Sequence, residues 1–299
     1  MASSSILPAR RTRAIERGPR PRKLTGRRRT TRGLLYFYLT VVAAFSIIPL
    51  LLAWSTAFKD RAQVVTNPYG PPIPPALDNL ETAWISGRFS EYFLNSVIIS
   101  VVSVLAMIVV APLAGYGLAR MRFWGRRVVI VVLLIGLTIP ITAIILPLYT
   151  VMRDFGLLNG YGSVIIAHVA IGAPFFAFIM RAFFLRLPPE LEDAARVDGC
   201  SEIRVFWNVM LPLVRPGVLT VALLEFLWSW NNLILPLVFL TTDSVRTLPV
   251  GMLLLTGRFT TDYGLLSSSV LILSAPVVVL FLLFQRNFVE GLASGSVKG

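Results

Sequence analysis

Six long apolar stretches, separated by shorter polar ones, set the pattern of the chain: 34–58, 93–119, 128–152, 161–184, 218–240 and 264–284. About twenty mainly apolar residues are needed for a helix to cross the hydrocarbon core of a bilayer. Each stretch meets that length, so the pattern predicts an all-α, polytopic membrane protein with six transmembrane helices. The third and fifth stretches contain prolines and polar groups. Prolines are tolerated inside a membrane where neighbouring helices satisfy the freed backbone groups. The first stretch runs 25 residues behind a 33-residue basic arm. A cleaved signal has an apolar core of only about 7–15 residues near the N-terminus, so a retained helix is expected.

Charge sharpens the picture. Residues 1–33 hold eleven Lys/Arg against one acid, Glu16, which is +10 of the chain's net +13. The arm is read as a cytoplasmic tail, expected to be disordered, that faces anionic lipid. Nucleic-acid binding is the weaker alternative, and no nucleic-acid partner is expected. The connections alternate as well. The tail, the 120–127 turn, segment 185–217 with its flanks, and the C-terminus with Arg286 and Lys298 carry 22 Lys/Arg between them. The intervening connections carry six: Lys59, Arg61, Arg88, Arg153, Arg246 and Arg258. By the positive-inside rule, six crossings with both termini cytoplasmic satisfy this alternation. The external loop 59–92 carries five prolines between Pro68 and Pro75 and reads as extended and irregular.

Composition then excludes chemistry. Hydrophobic residues make up 56% of the chain and charged residues 14%, and mean hydropathy is +0.74. Neither a soluble domain nor a disordered chain has this balance. One cysteine, Cys200, and one histidine, His168, allow no internal disulfide and no Cys/His metal cluster. His168 lies in an apolar stretch and reads as a packed or hydrogen-bonded helix residue. Gly-Lys occurs nowhere, so there is no Walker A phosphate loop. The chain is not expected to be an enzyme, to have catalytic or metal-binding residues, or to bind a cofactor.

Segment 185–217 is long for a connection and reads as structured. Pro188-Pro189 suits a helix start, and Glu190, Glu192 and Asp193 complement the dipole of its first turn. Ala194 and Ala195 favour helix without bulk, Gly199 is a natural helix end, and Ser201 can cap a second helix. In that second helix Ile203, Phe206, Trp207, Met210 and Leu211 follow the spacing of one apolar face. Pro212 and Pro216-Gly217 should bend the chain into the fifth span. A connector with good caps and a docking element both fit these signals.

The same residues resemble the "EAA loop" of ABC importer permeases: Asp193-Ala194-Ala195, Asp198-Gly199 and Val209-Met210-Leu211-Pro212 stand at the family spacing. Asp193 replaces the usual Glu, keeping the charge and shortening the reach by one methylene. Cys200 stands where a small residue is usual, as a small filler. The resemblance covers most of 34–299 and is similar to the sugar-importer branch, the maltose-type second permease. Ala57-Phe58-Lys59, Asn95-Ser96, Ala114-Gly-Tyr-Gly-Leu-Ala-Arg120, Ile145-Leu-Pro-Leu-Tyr149, Trp230-Asn231 and the ending 285–299 carry it. It implies a type I ABC importer permease fold in a prokaryotic inner membrane. It also implies a second homologous permease, two ABC ATPase subunits that hold ATP and Mg, and an external solute-binding protein. Glu190, Glu192, Asp193, Ala194, Ala195, Arg196, Asp198, Gly199 and Ser201 would couple the chain to the ATPase. The small residues would allow close approach, and the acids and Arg196 would offer charge pairs to the partner.

A self-sufficient secondary transporter is the alternative class, and a glycerol-phosphate importer is the alternative within the family. Ion coupling would need intramembrane ionisable groups, and the fifth stretch offers only Glu225, with no buried basic partner evident in the sequence. Glu225, Trp228, Ser229 and Asn232 share one helical face. They read as a polar path for a sugar or polyol, or else as a polar seam between helices. Trp230 and Asn231 face partly away.

Overall fold

The computed structural model describes the backbone of residues 26–255 and 262–296 and the side chains of 31–255 and 262–285. No strand occurs among the described residues. The first 25 residues of the basic tail, Arg258, and the side chain of Arg286 with Lys298 lie outside them. The chain divides into two units at Leu51–Leu52. In the first, helix α1 (Gly26–Ala57) starts within the basic tail and continues across the boundary into the second.

Loop 59–92 is less irregular than its prolines suggest, for it holds two short helices, α2 (Arg61–Thr66) and α3 (Asp78–Trp84). The buried Lys59 anchors it, donating from Nζ to the carbonyls of Asn67 and Pro68 at 2.8 and 2.9 Å. Helix α4 (Phe89–Arg120) follows, then α5 (Arg126–Thr138), α6 (Ile141–Asp154) and α7 (Tyr161–Leu185). Next come α8 (Glu190–Val197), α9 (Glu202–Arg204), a π-helical turn (Val205–Met210) and α10 (Leu211–Leu213). The remainder is α11 (Arg215–Trp230), α12 (Ile234–Phe239), α13 (Leu248–Leu254) and α14 (Tyr263–Ser296).

Among the described residues, four helices are long and apolar enough to cross a membrane: Thr31–Ala57, Phe89–Arg120, Tyr161–Leu185 and Tyr263–Gln285. The count reaches six if each of two bent pairs is one span. The third predicted helix is broken, with α5 and α6 meeting at 105°. The cause is Pro140, whose ring disfavours helical geometry at the preceding residue, and Ile139 is extended at φ −79°, ψ 118°. The fifth predicted helix is interrupted too: α11 stops at Trp230, ten residues before the predicted end, and α12 begins at Ile234. The 76° bend between Glu202–Leu213 and α11 falls where Pro212 and Pro216-Gly217 are expected to turn the chain into this span.

Helices α4, α7 and α11 form the centre. Between helices in lipid, close packing of small residues does what hydrophobic burial does in water. Helix α4 accordingly buries Ser96, Ser100, Ser103, Met107, Ala111, Gly115 and Ala119, spaced three or four apart along one face. Gly115 is obligatory there: a Cβ would lie 2.5 Å from Met180 Cβ and 2.8 Å from the Arg181 backbone nitrogen.

Candidate functional site

Helix α8 is short, and its capping explains why it holds its shape. Pro189 precedes its first residue, and the acids of its first turn face the positive end of the dipole. At the other end the Cys200 N–H donates to the Ala195 carbonyl and the Gly199 N–H to that of Arg196, both at 3.0 Å. This is a Schellman closure, and Gly199 takes the left-handed angle it requires, φ +80°. Ser201 occupies the cap position of α9, but its side chain makes no capping bond.

The expected coupling residues divide into two sets. Glu192 and Ala195 face inward. The Glu192 carboxylate lies 3.2 Å from Arg120 Nε, and both side chains are nearly buried. Arg120 also donates to the carbonyls of Phe184 and Leu187. Ala195 packs into the cluster of Tyr116, Phe184 and Phe206. These contacts fasten α8 to the ends of α4 and α7. Glu190, Asp193, Ala194, Arg196, Asp198, Gly199 and Ser201 are exposed. Arg196 and Asp193 are engaged within the segment, since Arg196 bonds Glu202 at 2.7 Å, Asp193 at 3.1 Å and Glu192 at 3.3 Å; the carboxylates of Glu190 and Asp198 have no ion pair among the described residues. The hydrogen bond from Arg196 holds the Glu202 carboxyl below its ordinary range and raises Arg196 itself. The segment also leaves apolar side chains uncovered: Leu191, Val197, Ile203 and Trp207, with Val197 88% and Ile203 72% exposed.

The π turn explains the difference from the predicted apolar face. The wider turn puts Val205, Phe206 and Met210 inside, while Ile203 and Trp207, which an ordinary helix would have buried with them, stay out.

A second cluster lies within the apolar core. Glu225 on α11 is fully buried, and its carboxylate is 3.9 Å from Nδ1 of the equally buried His168 on α7. That is too long for a direct hydrogen bond, and neither side chain has another partner. The indole of Trp228 meets the His168 ring edge-on at 5.4 Å. Ser229, Ser100 and Ser103 also bury hydroxyls without partners. The sequence left Glu225 without a basic neighbour; the fold supplies one from 57 residues earlier in the chain.

The other expected path residues do not share one face. Asn232 lies beyond the end of α11, where its Oδ1 accepts from the Leu235 N–H at 3.0 Å. Trp230 is buried, donates to the Leu273 carbonyl at 2.8 Å and packs on Phe93 and Phe226. Asn231 is exposed and bonds back to the Leu227 carbonyl. Trp228 lines a cavity of about 460 Å³, which opens at the α5–α6 break beside Phe175 and Phe176.

Residues 111–292 match the family described as "Binding-protein-dependent transport system inner membrane component". The chain belongs to this family. It is therefore a permease, a multi-pass inner-membrane transport component rather than an enzyme. The permease is 37% identical over 280 residues to an arabinooligosaccharides transport system permease protein of Halalkalibacterium halodurans, covering 91% of this chain and all of that one. It is 34% identical to a diacetylchitobiose uptake system permease protein of Streptomyces coelicolor, over 84% of each chain. A trehalose transport system permease protein of Mycobacterium tuberculosis is 31% identical, over 87% of this chain and 95% of that one. Among solved structures, a chain of a bacterial ABC transporter involved in the import of the acidic polysaccharide alginate superposes with a TM-score of 0.78. It is 20% identical, with 89% of this chain and 99% of that one covered. The type I ABC importer permease fold is thereby shown.

The segments flagged in the sequence now have physical roles. Within Ala114–Arg120, Gly115 lets α4 and α7 close, Tyr116 packs on Phe184 and Phe206, and Arg120 holds Glu192. The motif is the seat of α8. At the other end of α4, Asn95 donates to the carbonyls of Ser244 and Arg246, and Ser96 accepts from the Leu248 N–H at 2.9 Å. These bonds clamp the 243–248 loop.

Proposed function

We propose that the permease passes a sugar or related polyol, delivered by an external binding protein, through the membrane at the expense of ATP hydrolysed by a separate subunit. In this reading two ABC ATPase subunits serve the complex, a second homologous permease completes the path, and both termini are cytoplasmic. The relatives named for arabinooligosaccharides, diacetylchitobiose and trehalose support a carbohydrate over glycerol phosphate. Family membership favours this reading over a self-sufficient secondary transporter.

The observation that carries the ATPase docking is the build of Glu190–Ser201. A short helix closed at both ends, fastened through Glu192 and Arg120, presents Leu191 and Val197 to solvent, with Ile203 and Trp207 close behind in the chain. The contact offered to a partner is a set of apolar side chains rimmed by the exposed carboxylates of Glu190 and Asp198. Within a tight interface such side chains carry binding, while rim charges mostly orient it. A rigid body seated on the ends of α4 and α7 then passes ATPase movement to those helices. On the path itself, Trp228 beside Phe175 and Phe176 gives an aromatic wall suited to the faces of a sugar ring, and Glu225, Ser229 and Asn232 add polar groups nearby.

The test is Val197→Asp in the reconstituted complex. The side chain is exposed, so the permease should fold and insert as before, while ATPase association weakens at least tenfold and uptake falls with it. Association and uptake at unaltered levels would remove the docking assignment.

A further inference from the structure

We propose that the cleft between the α4–α5 turn and α7 binds the phosphate headgroup of an anionic membrane lipid. The cleft has a volume of about 940 Å³, and Arg122, Phe123, Trp124, Arg126, Arg127 and Arg181 lie on its wall. No acid lines it, and none occurs in the sequence between Glu91 and Asp154. The four arginines fall into two pairs. Arg126 and Arg181 both donate to the Leu118 carbonyl, at 2.6 to 3.2 Å, and so close the last turn of α4. Arg122 and Arg127 are exposed and have no hydrogen bond or ion pair among the described residues. Two fixed and two free guanidinium groups therefore share one cleft, with the second pair available for bidentate contacts to phosphate oxygens. The first residues of α5 line the same wall, where backbone N–H groups at a helix start favour an anion.

Two features select a lipid over a soluble phosphate. Trp124 is fully exposed and Phe123 is 43% exposed, and large aromatic rings belong at the level of the headgroups. Beyond the arginines the wall continues through Val128, Val129 and Ile130, the apolar start of α5. The lining thus runs from cationic to aliphatic, as a phospholipid does from phosphate to acyl chain. The site is separate from the α8 docking surface and does not depend on it.

The experiment uses the full-length permease in neutral detergent, with tail-brominated phosphatidylglycerol and phosphatidylcholine as quenchers of tryptophan fluorescence. The Trp124 signal is the difference between the protein and Trp124→Phe. Phosphatidylglycerol should quench it saturably, with roughly tenfold preference over phosphatidylcholine, since a basic residue near an anionic surface contributes about one decade or less. The preference should shrink as salt rises. It should vanish in Arg122→Gln/Arg127→Gln and survive in Arg122→Lys/Arg127→Lys; neither pair supports the chain's own hydrogen bonds. Inorganic phosphate at millimolar concentration should not displace the lipid. Equal quenching by the two lipids would leave the arginines to an acidic partner surface and overturn the proposal. Retention of the preference by the glutamine pair, or full displacement by inorganic phosphate, would overturn it as well.

Discussion

The permease treats its buried acids in two opposite ways. Glu192, at the base of α8, meets Arg120 at 3.2 Å and Arg196 at 3.3 Å, and Arg120 is itself anchored on two carbonyls. Glu225, in the core, faces His168 at 3.9 Å with no hydrogen bond to either. The first arrangement sets opposite charges against each other and ties both residues to further partners, although Arg120 Nε and Glu192 Oε1 meet without hydrogen-bond geometry. The second leaves polar groups unpaired in a low dielectric, which is costly unless another arrangement pairs them. The difference teaches a division of labour. The paired acid fastens α8 to the ends of α4 and α7, as the proposed coupling to the ATPase needs, and the unpaired acid lies between α7 and α11.

The largest effect should come from breaking the Arg120–Glu192 contact. Arg120→Ala leaves Glu192 buried without its main partner, and removal of one member of a buried pair costs roughly 3–5 kcal/mol. We expect a lower unfolding temperature for the complex and loss of ATPase stimulation by the loaded binding protein. Normal stimulation would show that α8 is held by its apolar contacts alone.

Next is the core pair. Glu225→Leu removes an unpaired buried carboxyl whose burial costs ~1–3 kcal/mol, so the unfolding temperature should hold or rise and ATPase association should be unchanged, while uptake falls if the acid serves the path. His168→Leu/Glu225→Leu should transport better than the product of the single effects predicts, because coupled partners are not additive. Independent effects in this cycle would reduce the pair to a packing seam.

The smallest effects belong to exposed charges. Arg196→Ala should barely change stability, since Arg196 is half-exposed, two of its three acidic partners, Asp193 and Glu202, lie largely in solvent, and Glu192 keeps Arg120. Asp243 offers the pH counterpart. The Tyr92 hydroxyl bonds it at 2.8 Å, and Arg88 and Arg246 lie beside it, so its carboxyl titrates below the ordinary range. A depressed carboxyl contributes stability above its unfolded pKa and loses it as pH falls through the folded one. Asp243→Asn should flatten the acid limb of a melting-temperature profile below about pH 4; an unchanged limb would assign that limb to other carboxyls.

Legibility in the sequence followed the range of the interaction. The start and end of α8 were readable because Pro188-Pro189 and Gly199 act on their own backbone. The break at Ile139–Pro140 was not, since Pro49, Pro112, Pro147, Pro174 and Pro276 all sit inside helices, so a proline in an apolar stretch does not by itself mark an interruption. The π turn escaped a reading based on 3.6-residue spacing. The contacts Arg120–Glu192 and His168–Glu225 join residues far apart in the chain, and only the packing of the helices brings them together.

The most direct test of the docking claim is Gly199→Leu, with ATPase activity and solute uptake measured together in one reconstituted complex. A Cβ at Gly199 would meet nothing within 4 Å in this chain, so the only internal cost is the left-handed angle, about 1–2 kcal/mol. The account predicts a permease that inserts and assembles with its partner permease but no longer stimulates the ATPase or imports solute. Normal stimulation coupled to normal uptake would contradict it.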